Sequence, residues 1–126
     1  MKKLFLLAAL VLPAYLNGVT VEVSDINQFN LYINQEAITV VKFYANWCSP
    51  CKQLNPLYID LENRYGVNTS FLTVNIDRAT AIKNKYGANK VPFVAIFKNG
   101  QILNKLLGLR NIRSQLENLI KQYTQA

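Results

Sequence analysis

The chain has 126 residues, 51% of them hydrophobic and 17% charged, which suits one compact domain and is too apolar for a disordered segment. Fourteen Lys and Arg against seven Asp and Glu give a net charge of +7, and histidine is absent, which excludes Ser/His/Asp triads, imidazole bases and the common histidine-bearing zinc sites. Reactive chemistry falls to two cysteines, Cys48 and Cys51.

Met1-Lys2-Lys3 is a positive start, and Leu4 to Leu12 is an uncharged apolar run of nine residues, the pattern of a signal peptide and too short to span a membrane. Residues 1–18 are therefore expected to be a cleaved leader that exports the chain to a periplasm or the exterior, leaving a single domain over 19–126. The cut itself is poorly marked, because Leu12 or Leu16 falls where a small residue is preferred for cuts after Ala14 or Gly18. Removing Lys2 and Lys3 lowers the charge from +7 to +5. The remaining cations, among them Lys83, Lys85, Lys90, Arg110 and Arg113, are dispersed with no aromatic-interleaved stripe, so they read as a solvated surface and no nucleic acid is expected.

Val19 to Val23 reads as a short strand, and Ser24-Asp25 as the cap of a helix that carries Ile26, Phe29 and Ile33 on one face. Ala37 to Ala45 is almost continuously apolar, as in a strand covered on both sides, and is expected to be central. A helix of about four turns then starts near Cys48, with Leu54, Leu57, Tyr58, Leu61 and Tyr65 at helical spacing, a kink expected at Pro56 and an end at Gly66. Phe71 to Ile76 reads as a strand and Ala79 to Tyr86 as a shorter helix stopped by Gly87. Phe93 to Phe97 and Gln101 to Leu103, joined by Asn99-Gly100, form an antiparallel hairpin. Ile112, Leu116, Leu119, Ile120 and Tyr123 mark a last amphipathic helix with Asn111 as its cap. This order calls for an α/β fold, a central mixed β-sheet flanked by helices on both faces, with Trp47-Cys48-Ser49-Pro50-Cys51 at the carboxyl end of the central strand.

Cysteine reacts as its thiolate, and the free N–H groups and dipole of a helix N-terminus stabilise negative charge. Cys48 is placed to benefit and is expected to be the more exposed and acidic sulfur, with Cys51 one turn on, better covered and within disulfide reach. The pair then supports a two-step exchange, in which Cys48 attacks a disulfide and Cys51 resolves the mixed disulfide. A purely structural disulfide closing so short a loop would be a weak staple, and zinc would need ligands from elsewhere.

Phe43-Tyr-Ala-Asn-Trp-Cys-Ser-Pro-Cys-Lys52, Pro56, Val74-Asn-Ile-Asp77, Tyr86-Gly87, Val91-Pro92 and Phe97-Lys-Asn-Gly100 together resemble the thioredoxin family across nearly the whole mature chain. The resemblance implies a thioredoxin fold and a protein-disulfide oxidoreductase, with Cys48 attacking, Cys51 resolving and Trp47 beside them. It further implies a cis-proline at Pro92, where the Val91 backbone meets an extended substrate, and a groove glycine at Gly108. No cofactor beyond the redox-active Cys48–Cys51 disulfide is implied. The implied partners are protein disulfide or dithiol substrates and a separate thiol reductant or oxidant protein. The protein is expected to be a monomer that touches a membrane only through an uncleaved leader.

The chain also departs from that pattern. Ser49-Pro50 stands where reducing members usually carry Gly-Pro. Six residues before Cys48, where the family usually has a buried carboxylate, the residue is Lys42, and the companion lysine of many members corresponds to Thr73. A buried ammonium is costly, so Lys42 is expected to reach solvent, to pair with an acid or to give up its proton, with a tuning role beside Ser49 and Pro50. The expected activity is disulfide exchange on proteins in the reducing direction. A thioredoxin-fold binding or chaperone module, indifferent to its cysteines, is the alternative.

Overall fold

The computed structural model describes residues 20–125, and the expected leader lies outside them. Thr39–Tyr44 (β2), the core of the long apolar run, is buried on both sides, as a strand with neighbours on each edge and helices on each face must be. The order is β1 (Val21–Glu22), α1 (Ile26–Ile33), β2, α2 (Ser49–Tyr65), β3 (Ser70–Asn75), α3 (Thr80–Tyr86), β4 (Phe93–Lys98), β5 (Gln101–Leu107) and α4 (Ile112–Thr124). These strands form one mixed sheet, β1-β3-β2-β4-β5. β1 and β2 each run parallel to β3, and β4 runs antiparallel to both β2 and β5.

Strand alternation divides the core between the two faces. Val41, Phe43, Leu72, Val74, Phe93 and Phe97 pack with Phe29 and Ile33 of α1 and Ile82 of α3. Val40, Phe71, Val94 and Ile96 pack with Leu54, Tyr58 and Leu61 of α2 and Leu116 and Ile120 of α4. Among the described residues no helix is long and apolar enough to cross a membrane.

Asp25 caps α1 as expected, its carboxylate accepting from the N–H groups of Asn27 and Gln28. Asn111 does not cap α4. It lies at φ 53° with no side-chain capping bond, outside the extended conformation in which a capping side chain reaches back to the first turn. Helix α2 runs through Pro56 to Tyr65, ending at Gly66. At the hairpin tip Asn99 and Gly100 have φ of 51° and 79°, the pair of positive values that lets a two-residue turn match the strand twist.

Strand β5 extends four residues past the expected end, to Leu107. Phe97 pairs with Ile102 while Ile96 pairs with Asn104, so Leu103 is a bulge that reverses the facing of the later residues in the strand. Ile102 accordingly packs on the α1/α3 side and Leu106 on the α2/α4 side, and the simple alternation that marks a strand is hidden.

Tyr58 ties α2 to the sheet. Its buried hydroxyl lies 2.6 Å from the Leu72 carbonyl and 2.9 Å from that of Val40, so its single proton bridges β3 and β2. Burial first, and the Glu62 carboxylate second, hold its phenol well above the ordinary value, keeping it a donor. Tyr58→Phe is expected to cost about 1–2 kcal/mol in urea unfolding and to leave thiol alkylation rates unchanged.

Candidate active site

The chain leaves β2 at Tyr44 and turns through Ala45 to Trp47, the Cys48 N–H closing this turn on the Ala45 carbonyl at 3.1 Å. Cys48 is the N-cap of α2, and its Sγ accepts the Cys51 N–H at 3.2 Å. Ser49 and Pro50 occupy the first helical positions, where a missing proline N–H leaves no bond unmade. Cys48 and Cys51 are joined in a disulfide with their Cα atoms 5.3 Å apart.

In this oxidised site Cys48 is 4% exposed and Cys51 3%, so the expected greater exposure of Cys48 is not seen. Its sulfur lies over the first turn, where it accepts the Cys51 N–H. The two differ in their electrostatics. The capping position gives a Cys48 thiolate an N–H donor and the positive end of α2, an effect worth about 0.3–1 kcal/mol.

Cys51 borders a cavity of about 470 Å³ whose lining includes Lys42, Tyr44, Lys52, Asn55 and Thr73. Lys42 and Thr73 face each other across the β2–β3 register. Lys42 is only 6% exposed. Its Nζ donates to Asn55 Oδ1 at 2.6 Å and lies 4.8 Å from the centre of the Tyr58 ring and 5.8 Å from that of Tyr44. Burial lowers the Lys42 pKa below its usual 10.5, and the Glu62 carboxylate acts in the opposite sense. Glu62 is itself buried and accepts a hydrogen bond from the Thr20 hydroxyl.

Asn55 and Glu62 did not emerge from the sequence, although a signal was there. Cys51, Asn55, Tyr58 and Glu62 are spaced by four, three and four, one continuous stripe on a helix. The stripe mixes polar with aromatic residues, so hydrophobic periodicity alone passes over it.

Trp47 stays 68% exposed, yet its Nε1 donates to Asp77 Oδ2 at 2.9 Å, which steadies the ring outside the core. Asp77 lies in the Val74-Asn-Ile-Asp77 segment of the family resemblance, but nothing in the sequence tied it to Trp47, 30 residues away. The Val91–Pro92 peptide is cis, and Val91 packs against the same cluster as both cysteines and Phe93. The Gly108 N–H donates to the Pro92 carbonyl at 2.9 Å. Gly108 has φ 79°, and a Cβ there would meet nothing within 4 Å, so the requirement for glycine is conformational. Among the described residues no three His, Cys, Asp or Glu side chains gather as a metal cage.

The sequence profile of the Thioredoxin family matches residues 19–122. Thioredoxin 1 of Plasmodium falciparum is 31% identical over 96 residues, covering 76% of this chain and 89% of its own. The mitochondrial Thioredoxin-2 of Schizosaccharomyces pombe is 35% identical over 86 residues, 68% of this chain and 64% of its own. Among solved structures, the thioredoxin of Malassezia sympodialis superposes with a TM-score of 0.79 at 28% identity, covering 86% of this chain and 93% of that one. Oxidised mitochondrial thioredoxin 3 of Saccharomyces cerevisiae gives 0.74 at 27% identity, covering 82% and 94%.

Because the folded-state pKa of Lys42 is depressed, the penalty for burying its ammonium is fully present below that value and vanishes as pH rises toward 10.5. Lys42→Met removes this penalty but leaves the buried Glu62 without its compensating charge and Asn55 Oδ1 without its donor, so the parent is expected to gain stability relative to Lys42→Met as alkali deprotonates the lysine. Urea unfolding over that range checks the slope.

Proposed function

This chain belongs to the thioredoxin family of disulfide oxidoreductases, and from that premise we propose that it is an exported reductase of protein disulfides working through Cys48-Ser49-Pro50-Cys51. The observation that carries this reading is the Cys48–Cys51 disulfide on the first turn of α2, with the Cys51 N–H aimed at the Cys48 sulfur.

In the dithiol form, the Cys48 thiolate attacks one sulfur of the substrate. A Cys48–substrate bond forms, the substrate S–S bond breaks, and the departing sulfur leaves as a thiolate that takes a proton. Cys51 then loses its proton and attacks Cys48, the mixed disulfide breaks and the second substrate sulfur leaves. Two electrons pass to the substrate and the protein is left oxidised, so a separate thiol reductant protein must restore it. No bound cofactor takes part.

Trp47 and the Val91–Pro92 backbone, with Gly108 beside it, form the surface that receives the extended substrate, a short case of strand addition. Lys42 tunes the resolving step. Sharing a cavity with Cys51, as an ammonium it favours the Cys51 thiolate, and as an amine it can take the Cys51 proton. The apolar run after Lys2 and Lys3 supports export to a periplasm or the exterior, with a monomer acting there.

Cys48→Ser is expected to abolish insulin-disulfide turnover, and Cys51→Ser to accumulate the mixed disulfide on a non-reducing gel. Retained turnover in Cys48→Ser would refute the exchange reading. Equilibration with glutathione gives the direction, a potential near −270 mV marking a reductant and one near −120 mV an oxidant. Titrating the reduced thiols in Lys42→Met tests the tuning role, which is lost if both thiol pKa values and the exchange rates match the parent.

A further inference from the structure

A second cavity, of about 350 Å³, lies where the end of α3 meets the β4–β5 hairpin, and its lining includes Tyr86, Lys90, Phe93, Lys105 and Leu107. It continues directly from the candidate substrate surface. Phe93 comes straight after Pro92 and Leu107 straight before Gly108, Phe93 and Leu107 are paired across the two strands, and Gly108 is bonded to the Pro92 carbonyl. A segment laid along Val91 and Pro92 therefore has this groove next to it.

The chemistry of the groove is specific. Leu107 is 61% exposed, and with the half-buried Tyr86 and the outer edge of the largely buried Phe93 it gives the groove an apolar floor. Both charged side chains in the lining are lysines, and among the described residues no carboxylate lines it. Lys90 and Lys105 are both exposed, on a chain that stays net positive, at +5, without Lys2 and Lys3. Two cations beside an apolar floor favour an acidic segment with one aliphatic side chain and repel a basic one.

We propose that this groove is a specificity subsite for protein substrates whose reactive cysteine is flanked by an aliphatic residue and carboxylates. The proposal rests on the disulfide-exchange activity and adds a substrate class to it. The aliphatic side chain covers Leu107 and Phe93, while the carboxylates meet Lys90 and Lys105. Because both lysines are solvent-exposed, the preference acts mainly on encounter and is screened by salt.

The test uses the chemically reduced protein and two peptides, each with one cysteine in a mixed disulfide with thionitrobenzoate, carrying Leu-Glu-Glu or Leu-Lys-Lys beside it. At low salt the acidic peptide is expected to react on the order of tenfold faster, with the ratio falling toward one in concentrated salt. Lys90→Gln/Lys105→Gln should erase the ratio, while Lys98→Gln/Lys121→Gln, equal in charge, should keep it. Leu107→Ser should slow the acidic peptide, and replacing the peptide leucine by serine should then have little further effect. Equal rates for the two peptides in the parent, or a ratio that persists in Lys90→Gln/Lys105→Gln, would overturn the subsite. A small neutral disulfide separates the two readings, since failure to exchange with it indicts the cysteines and not the groove. In that event, anisotropy of the fluorescein-labelled acidic peptide on Cys48→Ser decides. Tighter binding than the basic peptide, abolished by the paired lysine substitution, upholds the groove, and equal binding rejects it.

Discussion

The docking of α2 on the sheet is the constraint on which the site depends. Leu54, Tyr58 and Leu61 press against Val40, Phe71, Val94 and Ile96, each fully buried aliphatic side chain contributing about 1.5–3 kcal/mol. The Tyr58 hydroxyl adds a polar clamp onto the two parallel strands. A helix held so firmly along one face has little freedom at its first turn. The N–H groups that no helix can satisfy internally are thereby presented to Cys48 in a fixed direction, and the rise of one turn sets Cys51 within bonding reach. Reactivity at the surface thus derives from apolar contacts deeper in the domain.

The same docking imposes an electrostatic problem that this chain answers in its own way. The face of α2 that bears Cys51 also bears Asn55, Tyr58 and Glu62, and it lies over the side of β2 from which Lys42 projects. A buried ammonium is tolerated when its protons are bonded and an opposite charge lies in its field. Asn55 provides the bond, the Tyr58 ring a favourable quadrupole, and Glu62 the compensating charge. Thr73, small and neutral, stands opposite Lys42, so the other cation lining the cavity is Lys52 on α2. The resemblance implies an acid on β2, whereas this chain has a base on β2 and an acid on α2, and the proposed tuning of the cysteine couple rests on that arrangement.

On the open side of the cysteines two large apolar side chains are exposed. Trp47 and Leu107 lie outside the core with most of their area in water, which a monomeric domain tolerates singly. Each is nonetheless restrained, Trp47 by Asp77 and Leu107 by its place in the β4–β5 ladder. In the proposed capture of an extended segment, ordering such side chains in advance would reduce the entropy lost.

Local chemistry was enough to recover most of the elements. Asp25 before a periodic run, Asn99-Gly100 between two apolar strands and an almost continuously apolar Ala37 to Ala45 each report on neighbours within a few residues, because capping, turn conformation and two-sided burial are short-range requirements. The cysteine pair was legible for the same reason, as a spacing on one helical turn. The environment of that pair was not. The contacts of Lys42 with Asn55 and Tyr58, of Trp47 with Asp77 and of Pro92 with Gly108 join residues 13 to 30 positions apart, and the register that brings them together is decided by how β2, β3 and β4 pair and how α2 packs over them. The bulge at Leu103 and the left-handed Asn111 escaped for a related reason, since both are settled by the partner strand and the packed helix. A single sequence determines which residues can form a reactive pair, whereas the burial, hydrogen bonds and charges that govern its reactivity exist only once distant segments share one cavity.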